Sequence, residues 1–427
     1  MTIDFTLSDA QQELQKNAQG FAEGVLRPVA EQIDRAPDGW EAFLAGREAY
    51  RAMAKAGFTA SFIPTEYGGG GFSMLDFAIA AEELSRVDIS VPTTLLASGL
   101  GLQPVIQHGT HEQKERFLRP FVEDAEGDLL ASYAFTDVAG GANFDSTDPS
   151  AGIQTMAYRD GDEWVITGEK HYTTNGTGWG RKGCQLYTVV CRTDPAAGAD
   201  ESLAVIVVPG DVRGITVVDV YDKIGNRGVV TPRVHFDGVR VPADNLIGQP
   251  GEQGKRIVSG AFSWTAALIG SACVGTMRAA FEYALDFART EKRLGTVPLI
   301  EHQNVGFMLA DIKMRIEACR YLTWKACHDF DRTGGLAEEL PIMTKIFCSE
   351  TAVSTVYDCM RVVGIASYTR DLAPLERLMR DAMVFPLYDG GNMGVRRRQL
   401  HDMFRQPGYD SMLAARGDVP PWQRSVR

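Results

Sequence analysis

The chain is poor in the features that would place it quickly. No segment approaches the roughly 20 consecutive apolar residues of a membrane-spanning helix, and basic residues are outnumbered, 43 Lys and Arg against 55 Asp and Glu, for a formal charge of −12. Nonspecific binding to nucleic acid or to an anionic membrane needs a basic surface, so neither partner is expected. The seven cysteines (184, 191, 273, 319, 327, 348 and 359) show no paired metal-ligand spacing, so no metal is expected. Cys319 and Cys327 lie in an amphipathic helical stretch, the usual setting of buried free thiols. Met1 to Leu7 have neither the basic patch nor the apolar run of a signal peptide, and a cytoplasmic protein with reduced thiols is the expectation. No Gly-x-Gly-x-x-Gly follows a strand pattern, so there is no dinucleotide fingerprint. Internal repeats and low-complexity tracts are also missing.

What is present is an ordinary globular composition, 44% hydrophobic and 23% charged, over 427 residues, enough for two or three structural units. Helical spacing dominates residues 1–127. Ser8 with Gln11 fits a capping box, one helix is expected over Trp40–Lys55, another from about Ser73 to Arg86, and another over Glu112–Val122. From about residue 128 to 243 the pattern changes to short β-rich runs: Leu129–Phe135, Trp164–Ile166, Leu186–Cys191, Leu203–Val208 and Arg233–Phe236. Asp160-Gly161 supplies turn chemistry. Strands without intervening helices predict an antiparallel barrel or sandwich. Over 244–405, long amphipathic stretches (Ile257–Arg289, Glu301–Phe330, Leu340–Val363, Leu375–Met383) predict a four-helix bundle. Residues 406–427 are aperiodic and read as an extended or disordered arm.

The segment Phe385-Pro386-Leu387-Tyr388-Asp389-Gly390-Gly391-Asn392 is the most informative. Two glycines after a carboxylate let backbone approach a flat ligand with Asp389 facing it. Taken alone, the same string favours an Asp-Gly turn capping a helix from about Met393. Arg396, seven residues on, would return to nearly the same face after two helical turns and could favour an ionised Asp389.

Several strings decide between these readings. Pro64-Thr65-Glu66-Tyr67-Gly68-Gly69, His108-Gly109-Thr110-His111-Glu112-Gln113, Tyr133-Ala134-Phe135-Thr136, Thr174-Asn175-Gly176, Phe236 to Gly248, Glu301-His302-Gln303, Leu378 to Ala382 and Tyr388-Asp389-Gly390 occur in one order. Together they resemble the acyl-CoA dehydrogenase superfamily of FAD enzymes from end to end. Asp389-Gly390-Gly391-Asn392, the Arg396-Arg397-Arg398-Gln399 run and Thr265-Ala266-Ala267-Leu268 are similar to its nitroalkane oxidase branch.

The resemblance implies an N-terminal helical domain, a middle β domain and a C-terminal helical bundle around FAD. It places Asp389 as the base that removes an acidic α-carbon proton, with electrons passing to flavin N5, and sets Arg396 and Thr265 beside it. Flavin contacts would be Tyr133, Phe135, Thr136, Gly141, Tyr172, Thr173, Thr174, Gly390 and Gly391. Arg293, His302, Gln303 and Arg361 would face the ADP half. That half is completed by a neighbouring subunit in this superfamily, which implies a homotetramer or dimer. Arg397 and Arg398 read as a solvated or phosphate-facing charged face.

Two positions depart from the acyl-CoA pattern. Ala142 replaces a serine that seats the thioester, and Ala266 replaces an arginine. A small nitroalkane, oxidised to an aldehyde or ketone with release of nitrite and peroxide, is therefore the first expectation. An acyl-CoA or acyl-carrier-protein dehydrogenase feeding an electron-transfer flavoprotein is the alternative. A flavin monooxygenase ranks third, and a catalytically silent scaffold is disfavoured by Asp389.

Overall fold

The computed structural model describes residues 5–424. Residues 1–4 and 425–427, the outer ends of the expected N-terminal domain and arm, lie outside the described residues. The chain begins with helices α1 (Asp9–Phe21), α2 (Arg27–Arg35), α3 (Gly39–Ala45), α4 (Arg47–Lys55), α5 (Met74–Ser85), α6 (Ser90–His108) and α7 (His111–Glu123). Capping boxes start three of them. Ser8, Ser73 and Thr110 accept from the N–H three residues on, and Gln11, Asp76 and Gln113 return the bond. The single helix expected over Trp40–Lys55 is two, α3 and α4. They meet at Gly46, where a Cβ would stand 3.2 Å from the Val91 side chain.

The strands are β1 (Ala131–Ala134), β2 (Met156–Asp160), β3 (Glu163–Lys170), β4 (Leu186–Arg192), β5 (Leu203–Pro209, after the short helix α8, Ala199–Ser202), β6 (Ile215–Val220), β7 (Pro232–Pro242) and β8 (Leu246–Ile247). They form one sheet in the order β6-β7-β3-β2-β4-β5-β8, with β1 also on β4. β2 and β3 make the hairpin expected at Asp160-Gly161. The sheet is mixed, where alternation alone suggested antiparallel pairing throughout: β1 runs parallel to β4 from Ala131↔Leu186 to Ala134↔Val189, and β2 meets β4 in parallel at Met156↔Arg192. The β2–β3 hairpin lies in the crossover that parallel strands require. β1 and β4 are buried along their whole length, as strands covered on both faces are. α6 supplies one cover: Thr188 Oγ1 donates to the Gly101 carbonyl at 2.6 Å, and a Cβ on Gly101 would stand 2.8 Å from the Ser132 nitrogen.

The second helical region is α9 (Glu252–Thr290), α10 (Gln303–Thr333), α11 (Glu339–Val363), α12 (Leu375–Val384) and α13 (Arg397–Phe404). α9 packs against α10 and α11 and also against α5 and α6, so it is the column shared by both helical regions. By length and composition α9 is apolar enough to cross a membrane, contrary to the expectation from the sequence, with an 18-residue window of mean hydropathy 1.6. That window is 89% buried inside the protein, which is the position of a core helix. The arm beyond residue 405 is folded where aperiodicity suggested an extended or disordered segment. It forms α14 (Leu413–Arg416) and α15 (Pro421–Arg424), buries Leu413, and is tied to the start of α11 by Tyr409 Oη donating to Glu339 at 2.7 Å. All seven cysteines are free and buried.

Candidate active site

Asp389 sits between α12 and α13 in a left-handed backbone conformation, φ +53°, followed by Gly390 and Gly391 at +83° and +61°. Asp tolerates that region better than most side chains, and glycine adopts it freely. The next residues, Gly391–Arg396, wind a π-helical turn before α13 begins. Arg396 therefore reaches Asp389 by a tight reversal and a π turn, and not by the two α-helical turns that spacing suggested. π turns are often found at functional sites.

The pair is sealed from water. Arg396 is fully buried and the Asp389 side chain is 5% exposed. One terminal nitrogen of Arg396 lies 2.5 Å from Asp389 Oδ2, and Nε donates to the Asp389 carbonyl at 2.9 Å. The remaining donors reach the Phe262 carbonyl (3.1 Å) and Gln399 Oε1 (3.3 Å), and the guanidinium lies 5.3 Å from the Phe262 ring centre. Thr265, on α9, places its hydroxyl 2.6 Å from Asp389 Oδ1 and 3.1 Å from the Phe262 carbonyl. A hydroxyl has one proton to give, and the shorter contact is to the carboxylate. Both carboxylate oxygens are thus held, from two elements distant in sequence.

β1 brings an aromatic cluster to the same place. Tyr133 and Phe135 lie parallel (6.0 Å, 5°), each meeting the Phe262 ring edge-on (5.6 and 4.8 Å). Gly141 closes on this cluster, since a Cβ there would stand 2.5 Å from the Phe135 ring. Thr136 and the 172–174 turn are laced to β1 and its continuation. His171 N–H donates to the Thr136 carbonyl at 2.7 Å, and Ser132 Oγ to the Thr174 carbonyl at 2.6 Å. Tyr172 is exposed and left-handed at φ +53°, while Thr173 is buried. The Tyr133 hydroxyl and Thr173 Oγ1 are buried without a protein partner. Burial and the Asp389 charge push the Tyr133 phenol up, so it remains a donor. Unpartnered buried hydroxyls beside a flat aromatic surface fit a planar ligand with polar edges, as a flavin ring is.

Arg293, His302, Gln303 and Arg361 share no hydrogen bond with the Asp389 group among the described residues. They are exposed, at the α9–α10 connection and the end of α11. Arg293 donates to the Val363 carbonyl at 3.3 Å, and Arg361 to Asp358 at 3.0 Å. Arg398 is not a free charged face. It donates to Asp145 (2.8 Å) and to the Ala142 carbonyl (2.7 Å), clamping the loop after β1 to α13.

Sequence reasoning passed over three groups. Lys345, on α11, is fully buried and donates to the Phe385 carbonyl and to Asn392 Oδ1. Burial pushes its ammonium down to about 8 against the pull of Asp389. Asn175 donates to Thr94, Ser98 and Ala131, tying α6 to β1. Glu338, pushed by burial up to about 7, accepts from Gln423 in the tail at 3.0 Å. A buried lysine carries no periodic signature that separates it from an exposed one. Only the Asn in Thr174-Asn175-Gly176 was visible as part of a motif.

A helical region, a β layer and a helical bundle close on a sealed carboxylate–guanidinium pair and an aromatic cluster, the arrangement implied by the resemblance to a class of flavin-dependent oxidoreductases. The sequence matches known families over nearly its whole length: the acyl-CoA dehydrogenase N-terminal domain at residues 8–125, the middle domain at 132–239 and the C-terminal domain at 252–403. Nitroalkane oxidase of Podospora anserina is 38% identical across 98% of this chain and all of that protein, and that of Fusarium oxysporum 36% across 97% and 98%. A solved active-site mutant of nitroalkane oxidase crystallized with 1-nitrooctane superimposes with a TM-score of 0.93 at 35% identity, over 97% of this chain and 100% of that one. The chain belongs to the acyl-CoA dehydrogenase family, as an FAD-dependent, nitroalkane oxidase-like member.

Proposed function

We propose that the protein oxidises small nitroalkanes, with Asp389 as the base. The observation that carries this reading is the Asp389 carboxylate, with Thr265 on one oxygen and Arg396 on the other. Such a carboxylate is oriented and shielded from water, as removal of a carbon-bound proton requires. The near full-length likeness to two nitroalkane oxidases supports the substrate class.

Asp389 takes the α proton, and Arg396 balances the carboxylate before transfer. Thr265 fixes the direction of the attacking oxygen. Tyr133, Phe135 and Phe262 exclude water, and the free Tyr133 hydroxyl offers a donor to negative charge that develops beside it. Bound FAD supplies the electron sink, and dioxygen the final acceptor. One nitroalkane, one dioxygen and one water then give one aldehyde or ketone, one nitrite with its proton, and one hydrogen peroxide. Tyr133, Phe135, Thr136, Gly141, Thr173, Thr174, Gly390 and Gly391 would hold the flavin ring and Tyr172 its outer edge, with Arg293, His302, Gln303 and Arg361 toward the ADP half.

The acyl-thioester alternative, with an electron-transfer flavoprotein as acceptor, meets two obstacles. Ala266 is fully buried on α9, and Ala142 lies in the loop held by Arg398. Neither offers a polar group to a CoA tail. We also infer a homotetramer or dimer, because Leu294, Ile365, Tyr368 and Leu372 expose apolar surface around Arg293 and Arg361. The seven reduced, buried thiols suit a cytoplasmic setting. The test is to give purified holoenzyme nitroethane in air and assay nitrite and peroxide, with anaerobic acyl-CoAs in parallel. Nitrite with stoichiometric peroxide supports the reading. Flavin reduction by acyl-CoA alone, without nitrite from nitroethane, overturns it.

A further inference from the structure

We propose that Lys345 is a positioning residue for Asp389, its ammonium stapling both ends of the left-handed turn that carries the carboxylate. This rests on the reading of Asp389 as the base.

The staple is visible on both sides. Lys345 Nζ donates to the Phe385 carbonyl at 2.6 Å, four residues before Asp389, and to Asn392 Oδ1 at 3.0 Å, three residues after it. Between these points Nζ stands 5.7 Å from the centre of the Tyr388 ring. Asn392 in turn donates to Ser349 Oγ (2.9 Å) and Glu350 Oε1 (3.0 Å). All three anchors, Lys345, Ser349 and Glu350, lie on α11, so one rigid helix grips the turn.

The turn needs such a grip. Three successive left-handed residues, the first of them not glycine, persist only where the surroundings over-determine them. Within the turn itself, the Gly391 N–H to Tyr388 carbonyl bond (3.2 Å) and the Asn392 N–H to Pro386 carbonyl bond (2.9 Å) are the backbone contacts. A completely buried lysine is costly unless its protons are all used or a charge faces it. The charged and titratable groups around Lys345 are Asp389 and Arg396 from the catalytic turn, Glu350 on its own helix, Cys273 on α9 and the Tyr388 phenol. Asp389 and Glu350 are the anions among them. The ammonium therefore both shapes the turn and acts as a second cation on Asp389. A methionine would fill the same volume and do neither.

The experiment separates proton removal from the later transfer of electrons to the flavin. Wild type, K345M, K345R and N392A holoenzymes are assayed with nitroethane and with preformed nitroethane anion, which needs no base. A loss confined to the neutral substrate, on the order of 10²-fold in kcat/KM for K345M as small misplacements of catalytic groups produce, is expected. K345R should recover part of it, N392A should lose less, and the anion should be oxidised at near wild-type rate in all. A crystal structure of K345M should show the 385–392 turn displaced and the Thr265–Asp389 hydrogen bond lengthened. Equal losses on both substrates, or an unmoved turn in K345M, overturn the proposal. If K345M does not fold, N392A and K345R carry the same two comparisons. If wild type oxidises neither form, the nitroalkane reading fails while the crystallographic comparison still decides whether Lys345 positions Asp389.

Discussion

Arg396 holds Asp389 at two points: its Nε meets the backbone carbonyl at 2.9 Å, and a terminal nitrogen meets the carboxylate at 2.5 Å. One side chain thereby fixes both the conformation of the turn and the charge it presents. Gly390 is part of the same contact, since a Cβ there would stand 3.3 Å from Arg396 Nε.

If Asp389 is the base, Asp389→Asn should lower kcat/KM for a neutral nitroalkane by about 10²–10⁴-fold, the range of general-base catalysis. The preformed anion should still be oxidised. Stopped-flow flavin bleaching with each substrate form measures this, and equal rates for mutant and wild type on the neutral form would rule Asp389 out. Asp389→Glu should also lose activity, because one added methylene cannot be housed between Thr265 and Arg396 without moving one of them.

Arg396 is fully buried, so removing it leaves the Asp389 carboxylate without its contacting cation. Arg396→Met should cost about 3–5 kcal/mol of stability, as broken buried pairs do. Arg396→Lys keeps the charge but lacks the fork that serves Asp389, Phe262 and Gln399 together. It should fold better than the Met variant and remain well below wild type in turnover. Urea unfolding and steady-state rates on the three proteins test the order, and a Lys variant equal to wild type would contradict it.

Much of this architecture was readable locally. The Ser8–Gln11 capping box, the Asp160-Gly161 hairpin and the long bundle helices depend on residues close in sequence, and they stand where patterning put them. Asp389, Arg396 and Thr265 were reachable through motif resemblance, although the route joining the first two was not: a left-handed turn followed by a π turn has no distinctive spacing. What stayed hidden depends on contacts between distant segments. The parallel β1–β4 pairing joins residues 55 positions apart, Ala131 with Leu186. The tail folds because Tyr409, Gln423 and Leu413 find α11 and its surroundings. Lys345 looks like any helical lysine until the fold buries it.

Thr265 offers a finer test. Thr265→Val keeps the shape and removes the hydroxyl at 2.6 Å from Asp389. Losing a hydrogen bond to a charged group is worth about 1.5–3 kcal/mol, so kcat/KM should fall by roughly ten- to a hundredfold. Thr265→Ser should retain most activity. If Val and Thr are indistinguishable, the hydroxyl belongs to the Phe262 carbonyl and not to the carboxylate.

Glu338 makes stability depend on pH in a direction that can be stated. Burial raises its carboxyl to about 7 in the folded protein, while an unfolded Glu titrates near about 4.3. Below both values the group is protonated in either state and contributes no difference. Between them the folded state holds a proton that the unfolded state has lost, so stability falls as pH rises through that window. Above about 7 the penalty is complete. Glu338→Gln removes the titration and can keep a hydrogen bond with Gln423, now 3.0 Å away. The variant should therefore match wild type near pH 4.5 and be the more stable protein at pH 8, by an amount that grows steadily between. Thermal melts of wild type and Glu338→Gln holoenzyme at half-unit steps over that range decide it. A constant difference in Tm across all pH values would show that Glu338 does not titrate there.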